Sequence, residues 1–146
     1  RRAQPDLTLT YNDYSLEYAD GAGIRRRAGT LQLLQRLSKQ GIRVQLGLQS
    51  HLACHRPLGG AAFTRFLRQV KDLGVKVLVT ELDLNLSKLP GTDAERMATG
   101  AQYAATYLRM LQAVQPLDTV LCWGLADPYS FMTVKDPQAL APLPLD

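Results

Sequence analysis

The stretch Val75-Lys76-Val77-Leu78-Val79-Thr80, followed by Glu81-Leu82-Asp83, decides the fold. Its first six residues are rich in β-branched side chains and read as a strand. It follows Gly74, a residue suited to end the preceding helix because it takes positive φ without penalty. That helix is Ala61 to Leu73 (AAFTRFLRQVKDL), with Phe63, Phe66, Leu67 and Val70 on its inner face. Working outward, Ile42 to Leu48 (IRVQLGL) is an expected strand, and Thr30 to Lys39 (TLQLLQRLSK) an expected helix ending at Gly41. Leu7 to Tyr11 (LTLTY) is an expected strand before it. On the far side, Thr92 and Glu95 form a capping box for a helix reaching about Val114, with Pro116 beyond it. Leu117 to Trp123 (LDTVLCW) is the fourth expected strand.

Strand and helix in strict alternation describe βαβ units and a parallel sheet, so the class is α/β. The 146 residues suit one domain, and 46% hydrophobic with 21% charged residues is ordinary globular composition, which excludes a disordered or coiled-coil chain. No apolar run approaches the length of a membrane span. The formal charge of +4 is concentrated in Arg25-Arg26-Arg27, which has no interleaved aromatic platform. It reads as a solvated helix face rather than a nucleic-acid patch. Cys54 and Cys122 form neither a disulfide framework nor a Cys-x-x-Cys metal pair, and Cys122 is expected to be buried as a small hydrophobe. The chain opens on Arg1-Arg2-Ala3 and stops in Ala141-Pro142-Leu143-Pro144-Leu145-Asp146, which reads as a fragment.

In parallel α/β sheets ligands bind beyond the carboxyl ends of the strands. Residues just after the expected strands are Asn12-Asp13-Tyr14, Gln49-Ser50-His51, Glu81-Leu82-Asp83 and Trp123-Gly124 with Asp127. Carboxylates, an imidazole, amides and aromatics therefore gather at one mouth. Glu81 and Asp83, two apart on a strand, lie on the same face. Such a carboxylate pair beside a histidine suits a nucleophile or base, although Glu81 as a structural ion-pair partner is the plain alternative. His51 can bridge the two carboxylates or serve as an ordinary hydrogen-bonding residue. The run His51-x-x-Cys54-His55 also opens a metal reading with Glu81 and Asp83. Trp123, Tyr14, Tyr129 and Phe131 can pack a core, but aromatics beside amides and carboxylates suit the C–H face of a sugar ring. Nucleophile-elbow serines and phosphate-binding glycine loops are absent from the sequence.

Four motifs then fall into register: Tyr11-Asn12-Asp13-Tyr14, Leu48-Gln49-Ser50-His51-Leu52, Val79-Thr80-Glu81-Leu82-Asp83 and Trp123-Gly124-x-x-Asp127-x-x-Ser130-Phe131. In order and spacing they resemble the second half of glycoside hydrolase family 10, mainly endo-1,4-β-xylanases on a (β/α)8 TIM barrel. The resemblance implies that residues 1–146 are the carboxyl-terminal half of one catalytic barrel, about strands 5 to 8, with the amino-terminal half as missing partner. By position, Glu81 matches the nucleophile of this retaining family, His51 the histidine bonded to it and Asp83 the carboxylate supporting that histidine. Asn12, Gln49 and Trp123 match residues around the sugar at the cleavage point, and Tyr14 an aromatic on the leaving-group side. The resemblance further implies xylan or a xylo-oligosaccharide as partner, no cofactor, and an extracellular or periplasmic location.

Two positions depart from the family pattern: Phe131 stands where Trp is usual, and Ser15 where Asn is usual after Tyr14. A retaining glycosidase also needs a second carboxyl about 5 to 5.5 Å from the first. In the family it is a Glu following Asn, and no Asn-Glu pair occurs in this sequence. The acid/base is therefore expected upstream, and the fragment alone is expected to be inactive. Two other readings remain at this point: a metal-dependent barrel hydrolase using His51, His55, Glu81 and Asp83, and a non-catalytic glycan-binding remnant.

Overall fold

A computed structural model of the chain describes residues 7–132 and Leu143. In chain order it contains β1 (Leu9–Asp13), α1 (Gly21–Lys39), β2 (Val44–Leu48), β3 (His51–Ala53), α2 (Gly60–Asp72), β4 (Val77–Asn85), α3 (Asp93–Gln112) and β5 (Val120–Cys122), then a 3-10 turn at Asp127–Tyr129. Every pairing between strands is parallel. β1 pairs with β2, and β2 with the first half of β4. β3 continues along the second half of β4, while Val79 pairs with both Leu48 and Val120, placing β5 on the opposite side of β4.

The helices cover one face of this sheet. Leu46, Leu48, Val77 and Val79 meet Leu34 of α1, Phe63, Phe66, Leu67 and Val70 of α2, and Tyr107 and Leu111 of α3, all buried. The Phe63 ring stacks on Tyr107 with an interplanar angle of 12° and on Phe66 at 18°. Stacked aromatics between α2 and α3 fix how the two helices share the sheet, beyond what their buried area contributes. The expected apolar face of α2 is the buried one. The Thr92–Glu95 capping box is present in full at the start of α3. Gly41 and Gly74 follow α1 and α2 with φ of 68° and 71°.

Helix α1 begins at Gly21, well before Thr30, because the Asp20 side chain caps it by accepting from the Gly23 N–H at 2.9 Å. The extension carries Arg25-Arg26-Arg27, and it corrects the expectation of a merely solvated basic face. Arg27 is buried and donates to the carbonyls of Leu16 at 2.6 Å and Tyr18 at 2.7 Å. Arg26 lies 3.6 Å from Asp13 and 3.7 Å above the Tyr14 ring. Two of the three arginines thus tie down the loop after β1. An arginine is long enough to reach carbonyls left unpaired where the chain turns from strand to helix.

Strand β4 runs past Thr80 to Asn85, so Glu81 and Asp83 lie within the strand rather than after it. Between Val79 and Asp83, β4 has one more residue than its neighbours, where Leu48 to His51 and Val120 to Cys122 are the facing segments. This bulge breaks strict alternation at Thr80–Leu82. The Cys122 expectation also needs correcting: Cys122 is exposed and Cys54 is the buried one. Cys54 is held as a thiol, its pKa pushed up to about 12 by burial. Cys122 is open because β5, like β1, is paired on one side only among the described residues. Leu7, Leu9, Val120 and Leu121 are exposed along those two edges. No described helix is long and apolar enough to cross a membrane.

Candidate active site

Three strands bring the polar residues together: Asn12 lies near the end of β1, His51 opens β3, and Glu81 and Asp83 lie within β4. Glu81 of β4 receives two contacts, one on each oxygen: Asn12 Nδ2 of β1 donates to Oε1 at 2.7 Å, and His51 Nε2 of β3 lies 3.1 Å from Oε2. The other ring nitrogen of His51, Nδ1, lies 2.7 Å from Asp83 Oδ2. His51 and Asp83 are register partners on β3 and β4, so the sheet itself sets this distance.

The bulge in β4 explains how adjacent residues cooperate here. Thr80 Oγ1 donates to Asn12 Oδ1 at 2.7 Å while Asn12 Nδ2 donates to Glu81, so neighbouring side chains both reach one amide. Strict alternation would send them to opposite faces. With Thr80 bound to its oxygen, the Asn12 amide is oriented to offer its NH2 to Glu81.

The electrostatics follow from burial and charge. Burial alone would lower the His51 pKa, but the hydrogen bond to Asp83 and the charges of Asp83 and Glu81 outweigh it and hold the imidazole above its ordinary value. Facing a carboxylate oxygen with each nitrogen is fully satisfied by the doubly protonated ring. Burial raises the Asp83 pKa, with His51 opposing and Glu81 reinforcing the rise. The Asp83 side chain is fully buried and its Oδ1 has no hydrogen-bond partner among the described residues. All of its polar contact is therefore directed at His51.

Aromatic rings border this network. Phe131 meets His51 edge-on with centroids 5.3 Å apart, and Trp123 does so at 6.4 Å. Both are partly exposed, at 37% and 49%. Tyr14 is also exposed, with one ring face covered by Arg26. Gln49 is half-buried and its backbone N–H donates to the Asp13 carbonyl at 2.9 Å, joining β2 to β1 at the mouth. Tyr129 is 89% exposed, on the 3-10 turn.

His55 does not join the cluster, which corrects the metal reading. It is exposed in the turn after Cys54, where burial and the charges of Lys88 and Arg56 lower its pKa. Both nitrogens of His51 are already taken up by carboxylates. Among the described residues, no three His, Cys, Asp or Glu side chains form a group that could hold a metal ion. Sequence reasoning missed Thr80 and Gly47. The available signal was Gly47 itself, since a lone glycine inside a strand marks a close approach. A Cβ at Gly47 would lie 2.6 Å from Asn12 Oδ1.

A carboxylate held on both oxygens within a parallel sheet, with helices covering the opposite face, places the chain in the class of β/α-barrel proteins with a polar, aromatic-bordered site. The chain belongs to glycosyl hydrolase family 10, whose profile matches residues 1–146. It is 32% identical over 133 residues to endo-1,4-beta-xylanase 2 of Aureobasidium pullulans, covering 85% of this chain and 35% of that protein. It is 33% identical over 131 residues to endo-1,4-beta-xylanase D of Talaromyces funiculosus, covering 89% and 31%. Its fold superposes on xylanase 10B of Thermotoga petrophila in complex with xylobiose at a TM-score of 0.81 and 24% identity, covering 97% of this chain and 42% of that one. The fold is thus part of a TIM barrel, and the chain spans about a third of the length of the curated relatives it matches.

Proposed function

We propose that these residues form the nucleophile side of a retaining endo-1,4-β-xylanase site. Glu81 attacks the anomeric carbon of a β-1,4-linked xylose unit, forming a glycosyl ester as the bond to the leaving sugar breaks. A second carboxyl group, supplied by a part of the barrel outside these 146 residues, protonates the leaving oxygen and then deprotonates the attacking water. His51 and Asn12 keep the Glu81 carboxylate aimed, and Asp83 fixes the imidazole. Trp123 and Phe131 border the sugar ring, Gln49 lies beside it, and Tyr14 lines the leaving-group side. Family membership and the names of the relatives support xylan as the substrate class. The same family resemblance favours a site of action outside the cytoplasm.

The observation that carries this reading is the pair of contacts on Glu81, from Asn12 at 2.7 Å and His51 at 3.1 Å. Contacts on both oxygens restrict its rotation, as a nucleophilic carboxylate requires. The test is Glu81→Ala in the complete barrel that carries this sequence. Hydrolysis of xylan should fall by about four orders of magnitude or more. Added azide should restore turnover of an activated xyloside and give the inverted glycosyl azide, because azide then occupies the vacated nucleophile position. Near-normal turnover in that variant would overturn the assignment.

A further inference from the structure

We propose that Tyr18 is a positioning residue for His51, acting through the backbone of β3. The Tyr18 hydroxyl donates to the His51 carbonyl at 3.0 Å and accepts from the Ala53 N–H at 2.7 Å. On its other edge β3 is served by β4, where Ser50 O accepts from Asp83 N at 3.4 Å and Cys54 N donates to Asn85 O at 3.1 Å. Alternation therefore turns His51 C=O and Ala53 N–H away from β4. In a parallel ladder one residue of the next strand would serve those two groups. β1 does not extend that far, ending at Asp13 opposite Leu48. A single phenolic oxygen, donor and acceptor at once, takes the place of that residue.

Tyr18 is itself held from several directions. It is 1% exposed, and it forms an antiparallel bridge with Leu58. Its carbonyl accepts from Arg27 at 2.7 Å. The Arg56 guanidinium lies 3.4 Å above its ring and is paired with Asp20. Burial, then the charge of the buried Glu17, raises its pKa, so the hydroxyl keeps the proton it donates. The loop after β1 thus sets the position of β3, and β3 sets the imidazole between Glu81 and Asp83. The charge of His51 is in turn felt at Glu17, whose pKa burial raises.

This inference rests on the reading of His51 as the residue that orients Glu81, but its test reads the imidazole rather than turnover, so the two can fail separately. The experiment follows hydrogen–deuterium exchange at the His51 ring carbon against pH by mass spectrometry of the peptide that carries His51, in a His55→Gln background that leaves His51 as the one histidine of these 146 residues. In Tyr18→Phe the His51 midpoint should fall by about 0.5 or more as its distances to Asp83 and Glu81 lengthen. Tyr103→Phe removes a comparable hydrogen bond, to the Arg56 carbonyl at 2.8 Å, and should leave the midpoint in place. An unchanged midpoint in Tyr18→Phe, or an equal fall in both variants, overturns the proposal. If Tyr18→Phe does not fold, amide exchange at Ala53 in the unaltered chain decides: slow exchange supports it, and exchange at the rate of a free amide overturns it.

Discussion

Asn12 on β1 donates to Glu81 on β4 over 2.7 Å although β2 lies between their strands. The space for this contact comes from Gly47, the register partner of Asn12 on β2. A side chain there would stand 2.6 Å from Asn12 Oδ1, 3.0 Å from Thr80 Cγ2 and 3.1 Å from Thr10 Cγ2. The absence of one Cβ lets an amide cross a strand and reach the carboxylate.

Gly47→Ala is therefore expected to act at a distance from its own backbone. Alanine costs nothing in conformation at a strand position with ordinary φ, but the clash should displace Asn12 and destabilise the fold by about 1–3 kcal/mol. Adding Asn12→Ala removes the atom that is struck, so the double variant should recover part of that loss. Denaturant unfolding of the two single variants and the double variant gives the coupling directly.

The pH dependence of stability has a definite sign. The folded-state pKa of His51 is raised, so its contribution is fully present below the ordinary imidazole value of about 6.5 and is lost as pH rises through the folded-state value. Asp83 is also raised, by burial first, and works in the same direction from the ordinary carboxylate range upward. Unfolding free energy should decline on going from mildly acidic to mildly alkaline buffer. In His51→Gln the part of the decline above about pH 6.5 should disappear, and a profile identical to the parent's would contradict this.

Arg27→Met should be among the more damaging single changes in α1. Methionine fills much of the volume but leaves the Leu16 and Tyr18 carbonyls, now bonded at 2.6 and 2.7 Å, without donors. The expected loss is about 2–4 kcal/mol, measured by chemical denaturation. Arg25→Met, on an exposed position of the same helix, should change stability little.

The two open edges predict association. Unpaired strand edges with apolar side chains template further pairing, and β5 exposes Val120 at 42% and Leu121 at 52%. Sedimentation of the 146-residue chain should show self-association, and Leu121→Lys should shift it toward the monomer. On the mechanism proposed above, the same chain should release no reducing sugar from xylan. A monodisperse monomer that cleaves xylan would contradict both statements.

Local pattern was enough to read the class and to pick out residues that gather in the polar cluster. Apolar periods of two and 3.6 in alternation state βαβ units, and the capping box at Thr92 and the glycines after α1 and α2 punctuate them, because these are properties of a few consecutive residues. Reading along the expected strands also picked out Asn12, His51, Glu81 and Asp83, since neighbouring parallel strands in register bring such side chains together whatever the loops do. The start of α1 was less legible: Gly21 to Gly29 has weak apolar periodicity, and the helix there is held by the Asp20 cap and by Arg27 reaching carbonyls behind it.

What only the tertiary structure decided depends on residues far apart in the chain. The extra residue of β4 between Val79 and Asp83 shows only against the strands it pairs with. Gly47 has a purpose only once Asn12 and Thr80 lie on either side of it. The exclusion of His55 from the cluster, the exposure of Cys122 and the Tyr18 clamp on β3 likewise have no signature in local spacing. Periodicity reports which face a side chain takes, but a bulge, a missing Cβ or one hydroxyl between strands is defined by the neighbour it meets.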